Sequence, residues 1–247
     1  MRLIADLHTH TYASGHAYST LKENVEQAKE EGLSFLGVSD HTPGMAGTTD
    51  LLYFQNLKVV KKKVKGVQIL LGAEANIIGD TGEIDLPDET ASQLDYVIAS
   101  LHVNVINNMG LERNTNAVIG AMQNRNIKII GHPDDSTFPL DYPAIVAQAK
   151  ESGVALEVNN SSLSPNSSRK NTRENIAQML RICKELDTPI IVNSDSHVFF
   201  DVGKIGYAKA LLKELCFPTE LIINTNELRF QEFMARGKRL APCVIAV

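Results

Sequence analysis

All seven histidines of this 247-residue chain lie at or just beyond the carboxyl end of a short apolar run. The first run is followed by His8 and His10, and His16 lies in the next loop. The remaining histidines follow later runs: His41, His102, His132 and His197. Histidines placed without regard to structure would fall partly in helical segments, and here none does. The pattern indicates one shared site rather than seven separate structural residues.

Two carboxylates occupy equivalent positions. Glu74 follows the third run in Gly72-Ala73-Glu74, and Asp195 precedes His197 after the last run. Side chains two residues apart in an extended chain point the same way, so each such pair can face one ion. Imidazoles and carboxylates without thiolates are ligands for zinc, manganese or iron. Nine such groups are too many for one ion and suit about three ions with three or four protein ligands each.

The elements that carry these residues form a repeating unit of an apolar, β-branched run followed by a helical pattern. The starts of the runs lie roughly 27 to 35 residues apart, the length of a strand–helix–strand unit. The predicted strands are Leu3–Ala5, Phe35–Val38, Val67–Leu71, Tyr96–Ala99, Ile127–Ile130, Val154–Val158 and Pro189–Val192. Seven such units with right-handed crossovers favour a (β/α) barrel of the α/β class, with an open doubly wound sheet as the alternative.

A closed barrel predicts which functional side chains are neighbours. Its last strand touches its first, which brings Asp195 and His197 beside His8 and His10. Three consecutive strands supply a second group, namely Glu74, His102 and His132. Spacing alone does not assign ligands to individual ions beyond this grouping.

Helix signals separate the runs. Thr20 and Glu23 form a capping box that predicts the start of the first helix. Gly32, Gly66 and Gly153 stand where helices are expected to end. One apolar stripe at helical spacing places a cysteine in the core, and its members are Ile176, Met179, Leu180, Cys183 and Leu186.

Composition excludes several classes of protein. The chain is 43% hydrophobic with a net charge of −5, which predicts one folded domain over residues 1–247 and argues against a nucleic-acid partner bound through bulk charge. The lysine-rich stretch 58–65 contains interleaved valines and is interpreted as a solvated helix face. No run reaches the 18 or so apolar residues of a membrane span, and the amino terminus meets a charge too early for a signal peptide. Cys183, Cys216 and Cys243 form no CxxC motif, which favours a reducing cytoplasm.

The motifs taken together resemble the PHP family, the polymerase and histidinol phosphatase domain. They are His-Thr-His at the first strand, Ser-Asp-His, Gly-Ala-Glu and Gly-His-Pro at later strands, and Ser-Asp-Ser-His near the end. Their order covers the chain from Asp6 to His197. The likeness is greatest to small stand-alone bacterial phosphatases of the YcdX type, which share the segments 16–20 and 157–162.

This resemblance implies a distorted seven-stranded, TIM-like (β/α) barrel with three divalent ions, zinc first and manganese or iron as alternatives. The first ion would be held by His8, His10, Glu74 and Asp195. Glu74 would bridge to the second, which would be completed by His102 and His132. The third would be held by His16, His41 and His197.

The implied activity is hydrolysis of a small phosphorylated metabolite by a hydroxide shared between the bridged ions. Glu74, Asp195 and His197 would be the catalytic ligands, and Arg169 either contacts the phosphate or is an exposed cation at a helix start. Asp6 and Asp40, next to ligands, either orient imidazoles or cap strand ends. The pair Asp134-Asp135 departs from the usual family pattern and is expected to add negative charge near the rim of the site.

Other activities stay open at this stage. A phosphodiesterase or nuclease of the polymerase-associated type is one alternative, and a histidinol phosphatase is another. A non-catalytic metal-binding protein is a third. An amidohydrolase also begins with His-x-His, but it would carry a lysine where His102 stands. The sequence leaves open the physiological ester, the native metal, the leaving-group acid and whether the chain forms a homo-oligomer.

Overall fold

The computed structural model describes residues 1–236, and its centre is a nearly closed barrel of seven parallel strands. The strands run in the order β1, β2, β4, β5, β6, β7 and β8, and β3 is a short extra strand antiparallel to β4. Their bounds are β1 Ala5–Asp6, β2 Phe35–Val38, β3 Lys63–Val64, β4 Val67–Asn76, β5 Tyr96–Ser100, β6 Ile127–Ile130, β7 Ala155–Asn159 and β8 Ile190–Asn193. All seven predicted strands are confirmed, as is the barrel, and the open doubly wound sheet is excluded.

Eight helices of the described residues surround or close the barrel. They are α1 Leu21–Glu30, α2 Leu51–Asn56, α3 Asp88–Ala91, α4 Leu111–Ala121, α5 Tyr142–Ser152, α6 Thr172–Glu185, α7 Gly206–Glu214 and α8 Glu227–Ala235. The predicted capping box is present, since Thr20 and Glu23 exchange side-chain and backbone hydrogen bonds. Gly32 follows α1, and Gly153 caps α5 in the left-handed conformation, as predicted.

The interpretation of residues 58–65 as a helix face is wrong. The stretch is solvated, but it forms a short 3-10 turn and then β3, which pairs with β4. Lys65 and Gly66 both have positive φ, 50° and 91°, which suits a tight hairpin between antiparallel strands. Gly66 therefore lies in a hairpin turn and not at the end of a helix.

The barrel closes between β8 and β1 mainly through side chains rather than a continuous ladder, and Asn224 is central among them. The amide of Asn224 donates to the carbonyl oxygens of Ala5 and Val192, at 2.8 and 2.6 Å, and its Oδ1 accepts from the Val192 N–H. Nearer the carboxyl ends of the strands, Thr9 and Ser196 form a parallel bridge. This seam makes the last strand a neighbour of the first, as predicted.

Two apolar layers hold the barrel together. The outer layer joins strands to helices and contains Ile176, Met179, Leu180 and Cys183 of the predicted stripe, while Leu186 ends the helix and is 38% exposed. The inner layer fills the barrel below the site with side chains that include Leu7, Phe35, Tyr96, Ile129, Ile191 and Phe230. Because helix α8 inserts Phe230 and Phe233 into this layer, it closes the amino-terminal end of the barrel.

Some sequence predictions concern the whole chain. Cys243 lies outside the described residues, and the organisation of residues 1–247 as one domain stays a prediction. Among residues 1–236, no helix combines the length and the apolar character that crossing a bilayer requires.

Candidate metal centre

The structure brings all nine predicted ligands together at the carboxyl ends of the barrel strands. His8 and His10 follow β1, and each later histidine follows its own strand except His16, which lies in the first loop. Glu74 differs slightly from expectation because β4 continues to Asn76, so that Glu74 lies within the strand. The extension is due to β5, which pairs with β4 from Gly72 to Asn76, and an isolated bridge joins Glu74 to His41 on the other side.

Glu74 lies at the centre of the cluster. Its Oε2 is 2.8 Å from Nδ1 of His41 and 3.2 Å from Nε2 of His8, and its Oε1 is 2.9 and 3.2 Å from Nε2 of His132 and His102. Burial alone would raise the pKa of Glu74, but the surrounding imidazoles hold that pKa well below its ordinary value. The Glu74 side chain is therefore a carboxylate. Its Oε2 faces His8 and His41, and its Oε1 faces His102 and His132.

Asp195 provides the second carboxylate. Its Oδ1 lies 3.3 Å from Nε2 of His10 and 3.5 Å from Nε2 of His8, while its Oδ2 accepts from the Arg169 guanidinium at 3.1 Å. Burial opposes ionisation, but His8 and Arg169 hold the pKa of Asp195 well below its ordinary value. Its backbone φ of 56° is left-handed, a conformation that aspartate tolerates and that often occurs at functional sites.

The two remaining ligands, His16 and His197, lie close to each other and to His41. Nε2 of His16 is 3.1 Å from Nε2 of His197, and the His41 ring lies 4.9 Å from the His16 ring. His10 also approaches this group, with its ring 4.3 Å from that of His197. Ligand atoms within 4.8 Å of one another form three overlapping sets, namely His10–His41–His197, His8–His10–Glu74 and His41–Glu74–His102. Because the sets overlap, proximity alone does not divide the ligands among ions, and the division from the resemblance stays a prediction.

Three imidazoles of the cluster use Nδ1 to bind a protein oxygen. His8 pairs with Glu157 at 2.8 Å, His102 with Asn76 at 2.7 Å and His10 with Ser14 at 3.0 Å. Each pairing turns Nε2 toward the carboxylates and favours the tautomer whose Nε2 lone pair is free for a metal.

Glu157 is the functional residue that the sequence reasoning missed. It accepts from the His8 ring, from Asn193 and from the backbone N–H of His132. The available signal was a charged residue in the middle of the apolar strand 154–158, since a buried carboxylate requires partners.

The unpartnered atoms of the cluster fit divalent cations. Nε2 of His8, His10 and His102, Nδ1 of His41 and Oε2 of Glu74 are buried without a hydrogen bond of acceptable geometry. Buried polar atoms of folded proteins nearly always have a partner, so several of them facing one another require explanation. Burial lowers the pKa of His102 to about 4, and burial with neighbouring His197 and His41 lowers the pKa of His10. Both imidazoles are therefore neutral near pH 7 and able to bind metal.

The two aspartates next to ligands differ in role. Asp6 accepts from Ser194, from the backbone N–H of Gly203 and from that of His8, and it touches no imidazole, so it joins loops of the seam. Asp40 accepts from Ser14, which in turn contacts His10. Asp40 therefore acts on the His10 imidazole only through Ser14.

The predicted position of Asp134 at the rim is wrong. Its side chain is fully buried, and this burial raises its pKa to about 7, so it adds less charge at neutral pH than a free carboxylate. The chain makes a tight turn here, since the Asp134 N–H donates to the carbonyl oxygen of His132 at 2.7 Å, and Asp134 lies beside Phe138 and Leu140. Asp135, in contrast, lines the opening of the site.

A cavity of about 430 Å³ opens above the cluster. Arg169 lines it with a side chain that is 21% exposed, and its guanidinium bonds Ser162 as well as Asp195. Arg169 is therefore a cation fixed by hydrogen bonds at the wall of the cavity, and not a solvent-exposed residue at the start of a helix. Apolar residues also line the cavity, namely Met45, Ala46, Leu101 and Val103.

A (β/α) barrel with imidazoles and carboxylates converging on unpartnered ligand atoms defines the class of metal-binding barrels. Residues 6–161 match the PHP domain family. The chain belongs to this family, as the sequence motifs indicated.

Relatives match nearly the whole chain. It is 44% identical over 240 residues to a protein of Clostridium botulinum named "Probable phosphatase", a match that covers 97% of this chain and 98% of that one. A relative of the same name from a Thermoanaerobacter species is 43% identical over 97% of both chains.

Solved structures show the same fold at lower identity. Histidinol phosphate phosphatase of Lactococcus lactis, solved with zinc, L-histidinol and phosphate, has a TM-score of 0.59 at 19% identity and covers 88% of this chain and 95% of that one. A chain of archaeal ribonuclease P has a TM-score of 0.54 at 14% identity, with coverage of 93% and 87%. At these identities the likeness extends to the fold alone.

Proposed function

We propose that this chain is a metal-dependent phosphatase that hydrolyses phosphate monoesters of small metabolites. Membership of the PHP family and the phosphatase relatives with whole-chain coverage support the reaction class. The single observation that carries the proposal is the set of unpartnered ligand atoms around Glu74 and Asp195, facing a cavity that also exposes Arg169.

Three divalent ions, with zinc as the first choice, would occupy this centre. His8, His10, Glu74 and Asp195 would hold the first, and Glu74, His102 and His132 the second. His16, His41 and His197 would hold the third. The two oxygens of Glu74 support a bridge, because one faces His8 while the other faces His102 and His132. When bound, the ions supply an activated water and positive charge for the phosphate.

The side chains of the chain itself provide position and charge. Arg169 is fixed by Asp195 and Ser162, so its remaining N–H groups are preorganised for a phosphate oxygen at little entropic cost. The cavity volume of about 430 Å³ suits a small metabolite.

A cytoplasmic location of the protein also stays a prediction.

The proposal is tested with the purified full chain assayed against monoesters and diesters, before and after chelation and with zinc or manganese restored. We expect monoester hydrolysis that disappears on chelation and returns with metal. Elemental analysis should give about three ions per chain, and fewer than two would contradict the trinuclear centre. Hydrolysis of diesters without monoesters would identify a phosphodiesterase instead.

Metal binding is expected to release protons. Burial lowers the affinity of His8 for a proton, but Glu157, Glu74 and Asp195 outweigh burial and raise the pKa of His8 well above 6.5 in the metal-free cluster. A proton bound near neutral pH must leave before Nε2 can hold a metal, so metal affinity increases as the pH rises. Calorimetry in two buffers with different ionisation enthalpies would detect about one released proton or more per chain. Identical binding enthalpies in both buffers would contradict this expectation.

A further inference from the structure

Tyr53 of helix α2, which lies outside the barrel, hydrogen-bonds a residue that supports a ligand of the metal centre. The hydroxyl of Tyr53 donates to Oδ2 of the buried Asp40 at 2.6 Å. Burial and the neighbouring carboxylate raise the pKa of Tyr53, so the phenol keeps its proton and acts as a donor. The exposed surface of α2 is thereby connected to a residue that follows β2.

Asp40 accepts hydrogen bonds from four donors. Its Oδ1 accepts from the backbone N–H of Thr11 and from the Ser14 hydroxyl, both at 2.7 Å. Its Oδ2 accepts from the Thr11 hydroxyl at 2.9 Å as well as from Tyr53. Four donors occupy the roughly four lone-pair sites of a carboxylate, which is an acceptor only.

The direction of these hydrogen bonds determines the tautomer of His10. Ser14 has one hydroxyl hydrogen, and it donates that hydrogen to Asp40. The Ser14 oxygen must then accept from the His41 backbone N–H at 3.1 Å and from Nδ1 of His10 at 3.0 Å. His10 therefore carries its hydrogen on Nδ1, and its Nε2 lone pair faces Asp195 and Glu74.

We propose that Tyr53, Asp40 and Ser14 form a relay that holds His10 in its metal-binding tautomer and sets the metal affinity of the centre from helix α2. The relay rests on the proposed function, since it presupposes that the cluster binds metal. None of its three members belongs to the clustered ligand sets or lines the cavity, so they are positioning residues. Groups that hold a metal ligand in this way typically change metal affinity 10–100-fold when removed.

A second relay on the opposite side offers an internal reference. Nδ1 of His102 bonds Oδ1 of Asn76, whose amide donates to Asp85 at 2.7 Å. It shares no residue with the first relay. A change in Tyr53 should alter His10 and leave His102 as it is.

The test uses the zinc-loaded full chain and the variants Tyr53→Phe and Ser14→Ala, with Tyr207→Phe as a matched control at a half-exposed tyrosine. Titration with a chelator should extract metal from Tyr53→Phe at about tenfold lower free chelator concentration than from wild type, and more readily still from Ser14→Ala. Tyr207→Phe should match wild type.

NMR of the ¹⁵N-histidine-labelled chain reports the tautomer directly. In the wild type we expect the ring hydrogen of His10 on Nδ1. In both relay variants this hydrogen should exchange faster with solvent, and the His102 signal should be unchanged. A wild-type His10 hydrogen on Nε2 would overturn the proposal even if neither variant folded. Wild-type chelator resistance in a folded Tyr53→Phe would also overturn it. If the wild type bound zinc but hydrolysed no ester, the proposed function would fail and the relay would still stand or fall on these measurements.

Discussion

Substitution of Glu74 by glutamine is expected to remove metal from the centre and to lower phosphatase activity by about a thousandfold or more, the upper range for loss of one electrostatic group. The carboxylate contacts four imidazoles at 2.8 to 3.2 Å, two through each of its oxygens. Glutamine keeps the shape but loses the charge, and its NH₂ group would face Nε2 atoms that must bind cations.

Two measurements separate this effect from unfolding. Elemental analysis should show fewer ions per chain than in wild type, and thermal unfolding of the metal-free variant should still be cooperative. Glu112→Gln, at the exposed start of α4, is the matched control and should retain metal and activity. Wild-type metal content together with a wild-type rate in Glu74→Gln would exclude a bridging role for this carboxylate.

Substitution of Phe230 by alanine is expected to have the largest effect on stability. Phe230 is 1% exposed and packs against Phe35 with ring centroids 4.8 Å apart, inside the barrel. Loss of a buried phenylalanine costs about 3–5 kcal/mol in transfer free energy and cavity formation. The floor of the barrel cannot collapse easily onto the cavity, because the strands around it are tied into the sheet.

The measurement is urea unfolding of the metal-free chain, so that bound ions do not contribute to the stability. Leu228→Ala, on the same helix but 71% exposed, serves as the control and should change the free energy of unfolding by less than about 0.5 kcal/mol. An equal loss in both variants would mean that α8 is stabilised by helix propensity and not by its contacts within the barrel.

The fold was predictable because its strands are short, apolar and evenly spaced. In a parallel barrel each strand is covered on both faces, so Phe35–Val38 and Ile127–Ile130 are read directly from composition. The ligands were predictable for a related reason, since parallel strands bring their carboxyl ends to one face. His102 and His132 thus meet Glu74 although they are far apart in the chain.

The supports of the ligands could not be predicted in the same way. Ser14 and Asn76 act through one hydrogen bond to an imidazole, and such a contact depends on side-chain direction within the barrel. Periodicity does not report that direction for polar residues. The hairpin at Lys65 was missed because regular spacing of valines suits a helix or a strand equally well in so short a segment.

The seam at Asn224 is the place where the strands of the barrel lack a continuous backbone ladder. Between β8 and β1 side chains make most of the links, namely the Asn224 amide, Asp6 with Ser194 and Asn193 with the Leu7 N–H, and Thr9 and Ser196 form a bridge. In contrast, β4 and β5 share a five-residue register. The loops on either side of the seam carry His10, His16, Asp195 and His197, while Glu74, His102 and His132 stand on the continuous sheet. The seam-side ligands are therefore positioned largely by side-chain hydrogen bonds and the others by backbone pairing, so substitutions in the seam are expected to disturb the first group before the second.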